Sequence, residues 1–283
     1  MTLKEVHDFI SHGFYDKALE SMESDPDDLK YIVCKSRIKE LNGHFEEAIT
    51  IARGALNQAI MTFDNIAVIN AISALAYGLW RVYNFEGALN YINQASDYFN
   101  KHDESIDYKI ALGTLHNIHG LILWKNNNLD ISLTEFSTGL EYREQVGELS
   151  PVSYSLNNMG NAYLSMGHLD YSEKYFQDAQ KIRIELGTKP GIASSYNSLA
   201  RLYDVKQKYN QAQEYHEKSL KLWKEVGNYQ FIAKSYRFLG IHYLSIRDVE
   251  KANKYLQDAL DLFQTIRNNI DYEITRNLLP TRS

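Results

Sequence analysis

Two histidines, His116 and His119, stand three residues apart and would share one helix face, where paired imidazoles can hold a metal ion. No third ligand is marked near them, and they fall on an apolar stripe, so they read as packing histidines. Cys34 is the one cysteine, and only Lys35 and Arg37 are assured basic neighbours, a weak setting for a nucleophilic thiolate. Glu46 and Glu47 read as charges on an exposed helix surface. No glycine-rich phosphate loop follows a strand, because no strand pattern exists for it to follow. The chain therefore reads as non-catalytic, with no cofactor and no metal site. What recurs instead is a carboxamide, since Asn117, Asn157 and Asn197 repeat at intervals of forty. Each offers a donor and an acceptor, so a row of them can pair with the backbone of an extended peptide whatever its side chains. Asn inside a helix costs roughly half a kcal/mol relative to Ala, so three in one register ask for a reason.

The elements that would position them follow from small residues. Ser36, Ala48 and Ala55 recur as Ala76, Ala88, Ala95; Gly120, Ser132, Gly139; Gly160, Ser172, Ala179; Ala200, Ala212, Ser219; and Gly240, Ala252, Ala259. A step of seven stays on one face of one helix, whereas a step of twelve crosses a turn to the neighbouring helix. Small side chains at these places let two antiparallel helices approach closely in every repeat. Around them Leu156, Met159 and Tyr163, then Tyr196, Leu199 and Tyr203, then Tyr236, Leu239 and Tyr243 form the stripe of a half-buried helix.

This pattern resembles the tetratricopeptide repeat family, with its clearest copy at Leu156, Met159, Gly160, Tyr163, Ser172, Phe176 and Ala179. The period of forty is similar to that of Pins-type spindle adaptors, kinesin light chains and microbial signalling proteins. The resemblance implies an all-α, right-handed solenoid of antiparallel helix pairs. Six repeats are expected at about 29–62, 68–104, 112–148, 152–188, 192–228 and 232–268. A degenerate helical pair, 1–28, would precede them. A capping helix and tail, 271–283, would follow, with Tyr272, Ile274, Leu278 and Leu279 in the helix and Pro280 stopping it. Gly147, Gly187 and Gly227 should end the second helices in the left-handed conformation, with Asn268 in that role later. Ser150 and Pro151 read as an N-cap and first helical residue. Pro26 and Pro190 also sit between helical patterns, and Tyr98–Ser105 reads as a lengthened loop.

In the family, the first helix of each pair lines a concave groove. The matching positions here include Asn117, Asn157, Asn197 and Arg237, then Arg37, Asn161 and Arg201. Neighbouring positions add Lys30, Arg81, Lys125 and Lys234 against Glu40 and Asp204, a basic face on a chain of net charge −6. Trp80 and Trp124 are candidate aromatic anchors. The implied function is a scaffold or adaptor binding an extended acidic peptide through Asn117, Asn157, Asn161, Asn197, Arg201, Lys234, Arg237 and Trp124. The alternative is a peptide-responsive regulator, although only about thirty residues precede the six repeats for an attached effector. A clamp for a C-terminal carboxylate fits less well, since Asn161 and Lys234 match that pattern while Asn157, Ser198 and Phe238 depart from it.

Composition agrees. With 36 acidic and 30 basic side chains, nucleic acid is not the expected partner. Lys4, Glu5 and Asp8 interrupt any secretory core, no apolar run is long enough to span a membrane, and one cysteine suits a reducing, cytoplasmic compartment. Homo-oligomerisation stays open.

Overall fold

The computed structural model describes residues 3–22 and 28–280, so Pro26 and the tail residues 281–283 lie outside the described residues. Helices α1 (Leu3–His12) and α2 (Tyr15–Ser21) form a short leading pair. Six longer hairpins follow: α3 (Leu29–Leu41) with α4 (Phe45–Thr62), α5 (Asn65–Arg81) with α6 (Phe85–Gln94), and α7 (Ile106–Lys125) with α8 (Leu129–Val146). Next come α9 (Leu149–Ser165) with α10 (Leu169–Glu185), α11 (Lys189–Val205) with α12 (Tyr209–Val226), and α13 (Tyr229–Ser245) with α14 (Val249–Thr265). Helix α15 (Asn269–Arg276) closes the stack. The outer helix α6 is short and ends in a 3-10 turn, Ala95–Tyr98, before the lengthened loop.

All eighteen register positions are buried. Their smallness is a steric requirement, because a Cβ added at Gly120 or Gly160 would lie 2.5 Å from the ring of Phe136 or Phe176, and one at Gly240 would lie 2.6 Å from Leu256. Where the first or second member is serine, its hydroxyl donates across the hairpin: Ser36 to Ala48 O, Ser132 to Gly120 O and Ser172 to Gly160 O. In the first of these the serine stands on the inner helix, and in the other two on the outer one. The polar group is thereby satisfied inside an apolar contact.

Each tight turn inside a hairpin contains one left-handed residue: Gly43, Tyr83, Asn127, Gly167, Gln207 and Arg247. Between hairpins the same conformation falls on Phe63, Gly147, Gly187, Gly227 and Arg267. Arg267, not Asn268, therefore takes the left-handed place at the last turn. Asn268 is instead the N-cap of α15, its Oδ1 accepting from Asp271 N at 3.1 Å. Helix α9 begins two residues earlier than its sequence signal, with Glu148 as N-cap, so Ser150 and Pro151 lie within its first turn, where a proline N–H is not missed. The capping helix stops at Arg276, so Leu278 and Leu279 lie beyond it.

The stack curls until its ends meet. Asn228 Nδ2 donates to Leu41 O at 3.2 Å, a contact between residues 187 apart. Gly13 packs so closely on α12 and α11 that a Cβ there would lie 2.8 Å from Val226, and one at Gly43 would lie 2.8 Å from Gln230. Among the described residues apolar burial is distributed over seven clusters rather than gathered in one centre, as a structure built from neighbour contacts requires.

Two outcomes follow for denaturant unfolding. Gly160→Ala should cost about 1–3 kcal/mol by overpacking against Phe176, while the exposed Gln177→Ala should stay within about 0.5 kcal/mol. Arg247→Gly, which relieves a side chain held at φ 62, should instead stabilise by up to about 1 kcal/mol.

Candidate functional site

The inner helices α3, α5, α7, α9, α11 and α13 carry the concave face, and polar side chains join one to the next at steps of 40 or 41 residues. Asn158 Nδ2 donates to Asn117 Oδ1 at 3.0 Å, Ser198 Oγ to Asn157 Oδ1 at 3.0 Å, and Arg201 to Asn161 Oδ1 at 3.0 Å. Trp124 Nε1 donates to Ser165 Oγ at 2.8 Å, and Gln230 Nε2 to Asp271 Oδ2 at 2.8 Å. The asparagine row thus bridges neighbouring repeats, and Asn117 is buried. Asn197 is the member whose Oδ1 has no donor among the described residues. Trp124 is likewise tied down and packs beside Leu121, Phe136 and Met159.

Beneath this row lie two arginines that sequence reasoning passed over. Arg183 is 2% exposed, yet it gives Nε to Ser153 Oγ at 3.1 Å and Nη1 to Ser195 Oγ at 2.8 Å and Asn157 Oδ1 at 3.3 Å. Forty residues earlier, Arg143 gives Nη1 to Ser155 Oγ at 2.7 Å and Pro151 O at 3.0 Å. Neither has an ion pair among the described residues, and burial pushes both down to about 10, which leaves them charged at neutral pH. Neutral acceptors must therefore solvate each charge, so Asn157 is part of the arginine's coordination. The signal was available in the spacing of Arg143 and Arg183.

The charges of the concave face divide into paired and unpaired groups. Arg37 bonds Glu40 at 3.0 Å, and Arg237 bonds Asp271 at 2.8 Å. Burial lifts the Glu40 carboxyl to about 7 against the pull of Arg37 and Arg81. Burial works against ionisation of Asp271 too, but Lys234, Arg237 and Arg81 outweigh it and hold that carboxyl far below its usual range. Arg81, Lys125, Arg201 and Lys234 have no carboxylate within ion-pair distance among the described residues. Arg81 lies over the Phe45 ring at 4.2 Å, Lys125 over Trp124 at 4.6 Å and Lys234 over Phe231 at 5.3 Å. Burial, with Arg81, Arg237 and Lys125 facing it and only Asp271 opposing, pushes the Lys234 amine down to about 7. Residues from α5, α7, α13 and α15 thus share one electrostatic neighbourhood.

The remaining chemical candidates are engaged elsewhere. Cys34 is buried, and desolvation together with Asp28 pushes its thiol to about 12, so it stays protonated. His116 and His119 do have a third group beside them, contrary to expectation: Glu135 Oε2 lies 2.7 Å from His116 Nδ1 and 3.2 Å from His119 Nδ1. Glu135 comes from α8, nineteen residues from His116, so sequence proximity could not mark it. Despite partial burial, the two imidazoles hold its carboxyl down at about 2. Exposed Glu47 bridges Lys39 at 2.7 Å.

Comparison with known proteins places this architecture. Profiles described as tetratricopeptide repeat match residues 153–183 and 191–265. No curated protein matches in sequence. Among solved structures, a Rap protein complexed with competence and sporulation factor is similar over 98% of this chain and 95% of its own, at 18% identity and TM-score 0.63. A STAND-family signal transduction ATPase with a tetratricopeptide repeat sensor, from Pyrococcus horikoshii, is similar over 93% of this chain and 39% of its own, at 22% identity and TM-score 0.62. The Rap conjugation gene regulator of plasmid pLS20, in complex with the Phr* peptide, is similar over 89% and 72%, at 15% identity and TM-score 0.62. At these identities the likeness is one of fold.

The two roles of the asparagines separate under mutation. Asn157→Ala removes an acceptor from both Arg183 and Ser198 and should cost about 1–3 kcal/mol in denaturant unfolding. Asn197→Ala, which loses no bond at its Oδ1, should be neutral or stabilising by several tenths of a kcal/mol, because Ala is the better helix former.

Proposed function

We propose that this chain, a tetratricopeptide-repeat protein, binds an extended acidic peptide segment of a partner on its concave face and acts without catalysis as a scaffold or adaptor. One observation carries the reading: Arg81, Lys125, Arg201 and Lys234 converge with no carboxylate within ion-pair distance among the described residues, in a chain whose net charge is −6. Like charges brought together at such a cost to Lys234 are stabilised when an anionic partner arrives, and the field they create steers it there. In this reading Arg201 and Lys234, with Arg81 and Lys125, contact the partner, and Arg237 contributes through its pair with Asp271. Asn117, Asn157, Asn161 and Trp124 hold the face in shape, and Asn197 lies among them. A cytoplasmic partner suits the single cysteine, and no helix among the described residues is long and apolar enough to cross a membrane.

A second reading, a peptide-responsive regulator, is favoured by the contact between the two ends of the superhelix. A groove that must change its curl to admit a peptide would disturb Asn228 and Leu41, and so report occupancy at the rim. The fold likeness to Rap proteins described with a peptide or a signalling factor is consistent with this reading.

Fluorescence anisotropy with acidic, neutral and basic peptides of equal length tests the proposal. Acidic peptides should bind best, with affinity falling as salt rises. Arg201→Glu with Lys234→Glu should weaken them at least about tenfold, the equivalent of about 1.4 kcal/mol. No charge preference, or tighter binding of basic peptides, would contradict it. The pH profile has a definite sign. A bound carboxylate favours the charged amine, and Lys234 in the free protein titrates at about 7. Affinity should therefore fall as pH rises from 6 to 8, and Lys234→Met should flatten that fall.

A further inference from the structure

One polar cluster has no place in the proposed binding face. Asp204, near the end of α11, receives His216 of α12 at 2.9 Å (Nε2 to Oδ2) and His242 of α13 at 2.6 Å (Nδ1 to Oδ1). The histidines are 1–2% exposed, and the Asp204 side chain is 18% exposed, which leaves one side of the cluster open to solvent.

The repeat register shows how unusual these residues are. His216 follows Asp204 by twelve residues, the step that joins the two helices of every hairpin. Forty residues earlier the same three places hold Leu164, Phe176 and Leu202, which pack together in one apolar cluster. In the repeat before that they hold Trp124, Phe136 and Ala162, again packed together. The two preceding repeats pack apolar side chains here, and burying a carboxylate with two imidazoles in their stead lowers stability unless the groups have other work. Hydrogen bonding does not fully satisfy them either, because His216 Nδ1 and His242 Nε2 are buried without partners among the described residues.

We infer that Asp204, His216 and His242 form a binding site for a divalent transition-metal ion of the zinc class. One carboxylate oxygen of Asp204 and one ring nitrogen from each of His216 and His242 all lie within 4.8 Å of one another. A tetrahedral ion bound at about 2.0–2.2 Å needs its donors about 3.4 Å apart, so small side-chain shifts suffice. Two neutral imidazoles and one carboxylate are a nitrogen and oxygen set suited to zinc and its first-row neighbours rather than to calcium or magnesium. The fourth position would be filled by water from the Asp204 side. His116, His119 and Glu135 make a weaker case, since both imidazoles converge on one carboxylate oxygen. Because the three ligands come from two successive hairpins, a bound ion would pin the fifth repeat to the sixth.

The experiment uses the untagged full chain, stripped with a chelator and titrated with zinc against a chromophoric competitor, with cobalt(II) as the spectroscopic probe. One equivalent of zinc should bind per chain, cobalt should show the intense visible bands of a four- or five-coordinate site, and the melting temperature should rise by several degrees at about a hundredfold excess over Kd. The triple variant Asp204→Leu, His216→Phe and His242→Leu restores the apolar set of the preceding repeat. It should fold at least as stably as the metal-free parent and lose at least about a hundredfold in zinc affinity. The double variant His116→Ala, His119→Ala should bind as the parent does. Failure of the parent chain to take up stoichiometric zinc, or undiminished binding by the folded triple variant, would overturn the assignment. Neither result depends on which peptide the concave face accepts.

Discussion

Everything in this molecule depends on how closely two helices can cross. At Gly120, Gly160 and Gly240 the outer helix lays a Phe ring or a leucine directly on the inner helix, with no room for a methyl group between them. Repeating that contact at a fixed step makes the hairpins nearly identical, and identical hairpins stacked with a constant rotation must curl. The curl brings α1 and the α3–α4 turn against α11, α13 and the start of α15. A steric constraint inside each hairpin therefore ends as a contact between the two ends of the chain.

The same curl gives the concave face its electrostatics. In an extended stack Arg81 and Lys234 would stand far apart, whereas here they repel each other and share Asp271. Hydrogen bonds from Asn158, Ser198 and Arg201 to the preceding inner helix fix the repeats at the pitch that produces this crowding. Buried Arg143 and Arg183 lock the outer helices into the same arrangement through neutral oxygens. Rigidity around the face and unbalanced charge on it have a common origin.

Much of the fold was legible because small residues and helix-stopping glycines report their geometry through residue type. All eighteen register positions proved buried, and Gly147, Gly187 and Gly227 do adopt positive φ. Arg267 adopts the same conformation without a residue type that announces it, which is why Asn268 looked the better candidate. The basic character of the concave face could be read, but not which cations are neutralised, since the Arg237–Asp271 pair reaches beyond the last hairpin into α15. The asparagines were visible as a row and their partners were not. Asn158 and Ser198 occupy places one residue off that row, and only the stagger between neighbouring inner helices brings them into reach. Glu135 beside the histidine pair and the Asp204 cluster were hidden for the same reason, as their members come from different helices.

The central claim is that the superhelix closes and so gathers cations from opposite ends of the chain. Spin labels at exposed His44 and Asn269, on the two sides of that closure, test it most directly through their separation in solution. The account predicts one narrow, short distance. An open stack of six hairpins, at about 8–10 Å per helix layer, would set the labels on the order of 50 Å apart with a broad distribution, and that result would contradict it.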